Sequence, residues 1–234
     1  MGATPNPGNE QIAWDGTGAV TETGTGAGDA TTPKRARRER GAALVEAILI
    51  FPIVIGLVFG TIEMGYAYFG KLTVERMSVA GARSGSGEAN DVLSDYYILQ
   101  AISKASTGMA SNDIKNVAIY RATGPTDRVP AACKAAGVTN TSTVRGCNHY
   151  TGSDFSLTST SFGCVGPPGP TTKSDNYWCP TTRKTALTAT YGHGPPDYVG
   201  VWVQVTHHNL TGLFGPTFTF EFDSVIEIEP RTVS

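Results

Sequence analysis

Three periodicities follow one another along the chain. From Ala47 to Ile62, AILIFPIVIGLVFGTI is apolar on every side, sixteen residues without a charge. Adding Ala42, Ala43, Leu44, Val45 and Glu46 lengthens the run to twenty-one. About 20 helical residues rising 1.5 Å each cross a hydrocarbon layer of roughly 30 Å. A soluble surface helix would keep a polar face, and this run has none. Beyond it, KLTVERMSVAGARS from Lys71 places Leu72, Arg76 and Val79 at helical spacings, and GARSGSGEAN supplies a stop, so the helix is expected to end at about Ser84. A second helix is expected over about Asp91 to Ser106, with Val92, Tyr96 and Leu99 as its apolar face. The period then drops to two. VAIYRA from Val117, ALTATY from Ala186, VGVWVQVTH from Val199 and FTFEFD from Phe218 read as strands of an antiparallel sheet. Val199, Val201, Val203 and Val205 take one side of their strand; Trp202 and Gln204 take the other. SVIEIE from Ser224 can extend the last strand. Residues 121–185 are rich in Thr, Gly, Pro and Ser and read as long loops. Residues 1–33 read as a disordered tail.

The fold class this pattern predicts is α+β. A long N-terminal transmembrane helix continues into an external helix, followed by a small antiparallel β-sheet head with long disulfide-stapled loops. The domains are 1–41, a basic-ended cytoplasmic leader or tail; 42–65, the transmembrane helix; and 66–234, an extracytoplasmic helical stalk and β-rich head.

Charge orients the span. Lys34, Arg35, Arg37, Arg38 and Arg40 precede it, whereas Lys71, Arg76 and Arg83 are spread out behind it among Glu63 and Glu75. Basic flanks stay on the cytoplasmic side. The chain is therefore expected to be single-pass in the plasma (inner) membrane, with its N-terminus cytoplasmic and its head outside. Tyr66, Tyr68 and Phe69 stand where aromatic residues favour the membrane interface. An ordinary secretion signal fits poorly: the run exceeds a 7–15-residue apolar core, and no small-residue cleavage pattern follows it closely.

Several residues in the span carry specific expectations. Pro52 would kink the helix, which a membrane tolerates. Gly56 and Gly60 form a small-x-x-x-small pair that would let another helix approach. Glu46 is a carboxylate in an apolar run, near the cytoplasmic edge, where it could snorkel. If the chain were cut after Gly41, Ala42 would carry a new ammonium group. Glu46 would become residue five and could neutralise that ammonium in a neighbouring subunit.

Four cysteines, Cys133, Cys147, Cys164 and Cys179, all lie on the external side, and none forms a C-x-x-C pair. Zinc and thioredoxin-like readings are therefore poor, and two disulfides are expected. Of three connectivities, the sequential one, Cys133–Cys147 with Cys164–Cys179, is preferred. Each bridge would contribute about 3 kcal/mol by loop closure.

The remaining chemistry is sparse. Net charge is -2 and charged residues are 16%, so nothing points to nucleic acid. ETGTGAGDATT from Glu22 lacks the Lys-Ser/Thr and the preceding strand of a phosphate loop. His149, His193, His207 and His208 form no metal motif, and adjacent His207 and His208 would face opposite sides of a strand. No nucleophile-elbow or zinc-protease motif occurs. The expectation is a non-enzyme with no metal or cofactor. Asn140-Thr-Ser and Asn209-Leu-Thr fit glycosylation sequons.

The stretch RERGAALVEAILIFPIVIGLVFGTIEMGYAYF resembles the TadE-like family of tight-adherence (Flp) pilus systems. Arg40, Gly41, Ala42, Ala43, Leu44, Val45 and Glu46 carry the resemblance, with Pro52, Gly60, Ile62, Glu63, Gly65, Tyr66 and Tyr68 behind them. AGARSG, from Ala80 to Gly85, is similar to the family's small-residue and arginine segment. The resemblance covers about residues 38–86. It implies a minor pilin or pseudopilin that assists assembly of a Flp-type pilus or related secretion apparatus. Gly41 would then be the last leader residue and Glu46 the assembly carboxylate. Implied partners are other pilin-like or Tad secretion-system membrane proteins, a prepilin peptidase and membrane lipid. The alternative is a permanently anchored bitopic cell-envelope protein whose external head binds a surface or a protein.

Overall fold

Helix α1 begins at Arg35 and runs through Pro52 to Glu88 in a computed structural model of the protein. The structure describes residues 35–134, 146–166, 172–185, 195–212 and 214–229. The N-terminal tail, the strand expected from Ala186, His193 and the sequon at Asn140 lie outside them. The chain divides into two compact units, Met1–Ile50 and Phe51–Ser234. In the first, every side chain from Gly41 to Ile50 is exposed.

Within the second unit, α1 changes character at Glu63. Before it, Phe51, Ile53, Leu57, Phe59 and Ile62 are exposed. From it onward Glu63, Ala67, Gly70, Val74, Met77 and Gly81 are buried. Their alternating spacing of four and three keeps one stripe of a helix facing one way.

That stripe packs on a four-stranded antiparallel sheet of order β2-β1-β3-β4. The strands are β1 (Ile114–Ala122), β2 (Cys147–Tyr150), β3 (Tyr198–His208) and β4 (Thr217–Glu227). Period-two alternation gives β3 two buried faces. Val199, Val201, Val203 and Val205 join Val74 and Met77 of α1 and Ile98, Leu99 and Ile102 of α2 (Ser94–Ala105). Trp202 turns the other way, into a smaller cluster with Ala118, Tyr120, Val129 and the Cys133–Cys147 bridge. Gly200 is required there, because a Cβ would come within 2.2 Å of the Tyr120 ring. The cluster is covered by the one-turn α3 (Ala131–Lys134), whose Lys134 ammonium lies 5.1 Å from the Trp202 ring centroid and pairs with Glu221 at 2.7 Å.

Both disulfides follow the sequential pairing, with Cα separations of 6.2 Å for Cys133–Cys147 and 5.1 Å for Cys164–Cys179. Three expectations need correction. Helix α1 continues four residues past Ser84, to Glu88, because its small residues serve close packing rather than a stop. Helix α2 buries Asp95, Ile98, Leu99 and Ile102, while Val92 is 38% exposed. The stretch read as loop contains β2, whose four residues are all buried and so show no alternation.

Around α2 and β2 the interior is polar. Asp95 and Arg183 are fully buried and paired. The Asp95 carboxylate also accepts from Asn148 Nδ2 at 2.6 Å and the Tyr150 hydroxyl at 2.8 Å. Arg183 donates to Ser94 Oγ at 3.1 Å and lies 4.2 Å from the Trp178 ring centroid. The Asn148 side-chain oxygen accepts from the backbone N–H groups of Tyr177 and Trp178. Asp175 accepts from the backbone N–H of Gly163 and Cys164. Burial, then the nearby Asp95 charge, pushes the Asp175 carboxyl above its usual range, and the same two causes raise the Tyr150 hydroxyl.

Truncating one partner of a buried ion pair strands the other, at a cost of about 3–5 kcal/mol. Asp95→Ala is expected to destabilise the full chain by that amount, read from denaturant unfolding in mild detergent. An unchanged midpoint would contradict the assigned role.

Candidate functional site

The residues singled out in the apolar run occupy one exposed helix. A side chain added at Gly41 or Gly56 would meet nothing within 4 Å. Ala42 and Glu46 are both exposed. Four residues apart, they stand one turn from each other on the same helix face. Gly41, five residues before Glu46, is turned away from it by about 140° at 3.6 residues per turn. An ammonium on Ala42 would therefore share a face with the Glu46 carboxylate. Pro52 is exposed inside the helix, which continues through it.

Glu63 ends this surface. It is 1% exposed, and its carboxylate accepts from the Thr211 hydroxyl in the β3–β4 hairpin loop. Its Oε1 atom is buried without a hydrogen-bond partner. One turn earlier, Gly60 faces the Phe214 ring of the same loop, 3.8 Å from where a Cβ would stand. The loop is closed by its own polar groups. Asn209 N–H donates to Pro216 O at 3.0 Å, Gly215 N–H to Gly212 O at 3.1 Å, and the Asn209 side-chain amide to Gly215 O at 2.7 Å. Gly212 and Gly215 supply the positive φ angles the turn requires, +69° and +102°. In this loop the Asn209 side chain of the sequon is used in holding the turn.

Residues 41–83 match the family model described as TadE-like protein. Over this segment the chain is similar to the TadE-like family. The match takes in both regimes of α1: the exposed apolar run that could cross a membrane, and most of the stripe that packs on the sheet. The TadE-like segment thus carries Gly41, Ala42, Glu46, Pro52, Gly56, Gly60 and Glu63, and it stops before the sheet. No curated protein and no solved structure matches the chain.

Above the TadE-like apolar run, a cleft of about 290 Å³ is lined by Tyr66, Phe69, Thr73, Met109, His207 and His208, among others. His207 and His208 diverge as adjacent strand residues must. The His207 ring packs beside Gly70 and Phe220, whereas His208 Nε2 lies 3.9 Å from Asp113. His149 sits apart in β2, where burial lowers its pKa against a smaller opposing effect of Asp154. Among the described residues no three His, Cys, Asp or Glu side chains gather around a metal-sized space.

Glu63 was visible in the sequence as part of the resemblance, but not its partner. Its place in the Glu63–Ala67–Gly70–Val74 stripe is the signal that it faces inward. Thr211 lies 148 residues away, beyond any local pattern. Leaving a buried acceptor unsatisfied costs about 1–3 kcal/mol. Thr211→Val is expected to lower the opening free energy of the hydrogen-bonded loop amides of Asn209 and Gly215 by that amount, measured by hydrogen exchange of the full chain in lipid. Unchanged protection would show that the bond does not hold the loop.

Proposed function

We propose that the chain is a TadE-like minor pilin or pseudopilin, a structural component that assists assembly of a Flp-type pilus or a related secretion apparatus. The observation that carries this reading is the TadE-like match over residues 41–83, joined to an exposed apolar helix that continues into the head. In this reading α1 crosses the inner membrane over residues 42–65, with the apolar run ending at Ile62. The basic residues before Gly41 remain cytoplasmic and the disulfide-bonded head is outside, where disulfides persist. The role is mechanical rather than catalytic, and needs no cofactor.

The chemistry lies at the cytoplasmic mouth of the span. A prepilin peptidase cutting after Gly41 would free an ammonium on Ala42. Within hydrocarbon both that cation and the Glu46 carboxylate are costly alone, so they favour each other. Neighbouring subunits can exchange these partners, which would make the pairing a register for assembly. Other pilin-like or Tad membrane proteins would supply the facing helices, with Gly56 offering an open approach.

The N-terminal mass of protein from its native membrane tests processing; a chain beginning at Ala42 is expected. Glu46→Gln should then reduce assembled protein about tenfold, the factor for about 1.4 kcal/mol of lost pairing, while membrane levels stay unchanged. A chain that retains Arg37 to Gly41 and assembles normally as Glu46→Gln would instead indicate a permanent bitopic anchor with a binding head.

A further inference from the structure

We propose that the tip of the β3–β4 hairpin is a second membrane contact, seated in the outer interface of the bilayer that α1 crosses. The inference rests on the membrane-spanning reading of α1 and adds to it a lipid-binding element in the head. Its level is set by two contacts. Phe214 lies against Gly60 and Thr211 binds Glu63. Gly60 is two residues inside the end of the apolar run at Ile62, a rise of roughly 3 Å. The tip is thereby held at the depth where hydrocarbon gives way to headgroups.

Its composition fits that depth. No residue from Asn209 to Phe220 is charged. Leu210 is 66% exposed and Phe214 49% exposed, although the sheet behind them has a well-packed core. The exposed Leu210 and Phe214 side chains gain by leaving water for an apolar phase. Aromatic rings favour the interface, and Tyr66, Tyr68 and Phe69 are exposed on the neighbouring turns of α1. Irregular backbone is costly near hydrocarbon unless its polar groups are satisfied. Here three hydrogen bonds within the loop, from Asn209 and Gly215, meet part of that demand. The loop also covers the Glu63 carboxylate, the first charge after the apolar run, and shields it from lipid. A bilayer is thus the occupant that suits both the level and the chemistry.

Tryptophan quenching tests this. Full-length Phe214→Trp, Leu210→Trp and Phe51→Trp variants are reconstituted in vesicles whose lipids carry bromine near the headgroup end or deep in the acyl chain. Emission is compared with the parent protein, which already contains Trp14, Trp178 and Trp202. Phe51→Trp reports on the span; the two loop variants report on the tip, and two are used so that one misfolded protein does not decide the result. The expected result is loss of most of the added loop emission with the shallow quencher, and loss of the added Phe51→Trp emission with the deep one. Quenching at Phe51→Trp with none at either loop position overturns the hairpin contact and leaves the span standing. Absence of quenching at all three positions overturns the span and the hairpin contact together.

Discussion

The close approach of α1 to the sheet is the constraint on which the rest of the head depends. A Cβ at Gly81 would stand 2.9 Å from Ile102 and 3.1 Å from Val201; one at Gly85 would stand 2.9 Å from Ile98 and 3.2 Å from Val199. Only glycine lets the helix backbone sit this near both α2 and β3. Two serines reinforce the contact: Ser78 Oγ donates to Val201 O at 2.7 Å, and Ser86 Oγ donates to Glu227 O. The small-residue segment AGARSG is therefore a packing surface. The same helix carries both the exposed apolar side chains up to Ile62 and the stripe from Glu63 that packs on the sheet. From Glu63 onward it is one of the head's own layers.

A second constraint holds the loops. The described residues 162–166 and 172–185 put Phe162 and Trp178 into the core and are otherwise held by polar groups aimed inward. Arg183 reaches Asp95 on α2, while Asn148 of β2 grips the backbone of Tyr177 and Trp178. Cys164–Cys179 closes the same segment covalently. A buried ion pair adds little net stability compared with well-packed apolar groups, but losing one partner is expensive. The network thus fixes one arrangement of loop, helix and strand.

Much of this was legible where side-chain period and burial agree. The valine alternation from Val199 to Val205 pointed to the core face of β3, and the even number of cysteines without a C-x-x-C pair pointed to two bridges. The apolar run stood out because no face of it is polar, and Gly41 to Glu46 with Pro52 pointed to the family. What remained hidden was long-range or polar. Asp95 is buried through a partner 88 residues away, so α2 lacks a clean apolar stripe; of the expected face Tyr96 and Leu99 do pack on the core, whereas Val92 is exposed. Cys147–Tyr150 is buried throughout and too short to show a period. Gly85 read as part of a helix stop because a sequence cannot show that the sheet and α2 need the space. The latch between Glu63 and Thr211 joins a helix to a hairpin loop distant in sequence.

The central claim is that α1 belongs to the head from Glu63 onward. Folding of two truncated chains in mild detergent tests it most directly. A chain beginning at Glu63 should form both disulfides and unfold cooperatively, whereas one beginning at Asp91, with the sheet's valine face uncovered, should not. Equal cooperative unfolding of the two would contradict the account, since the helix would then be an anchor attached to a head that stands without it.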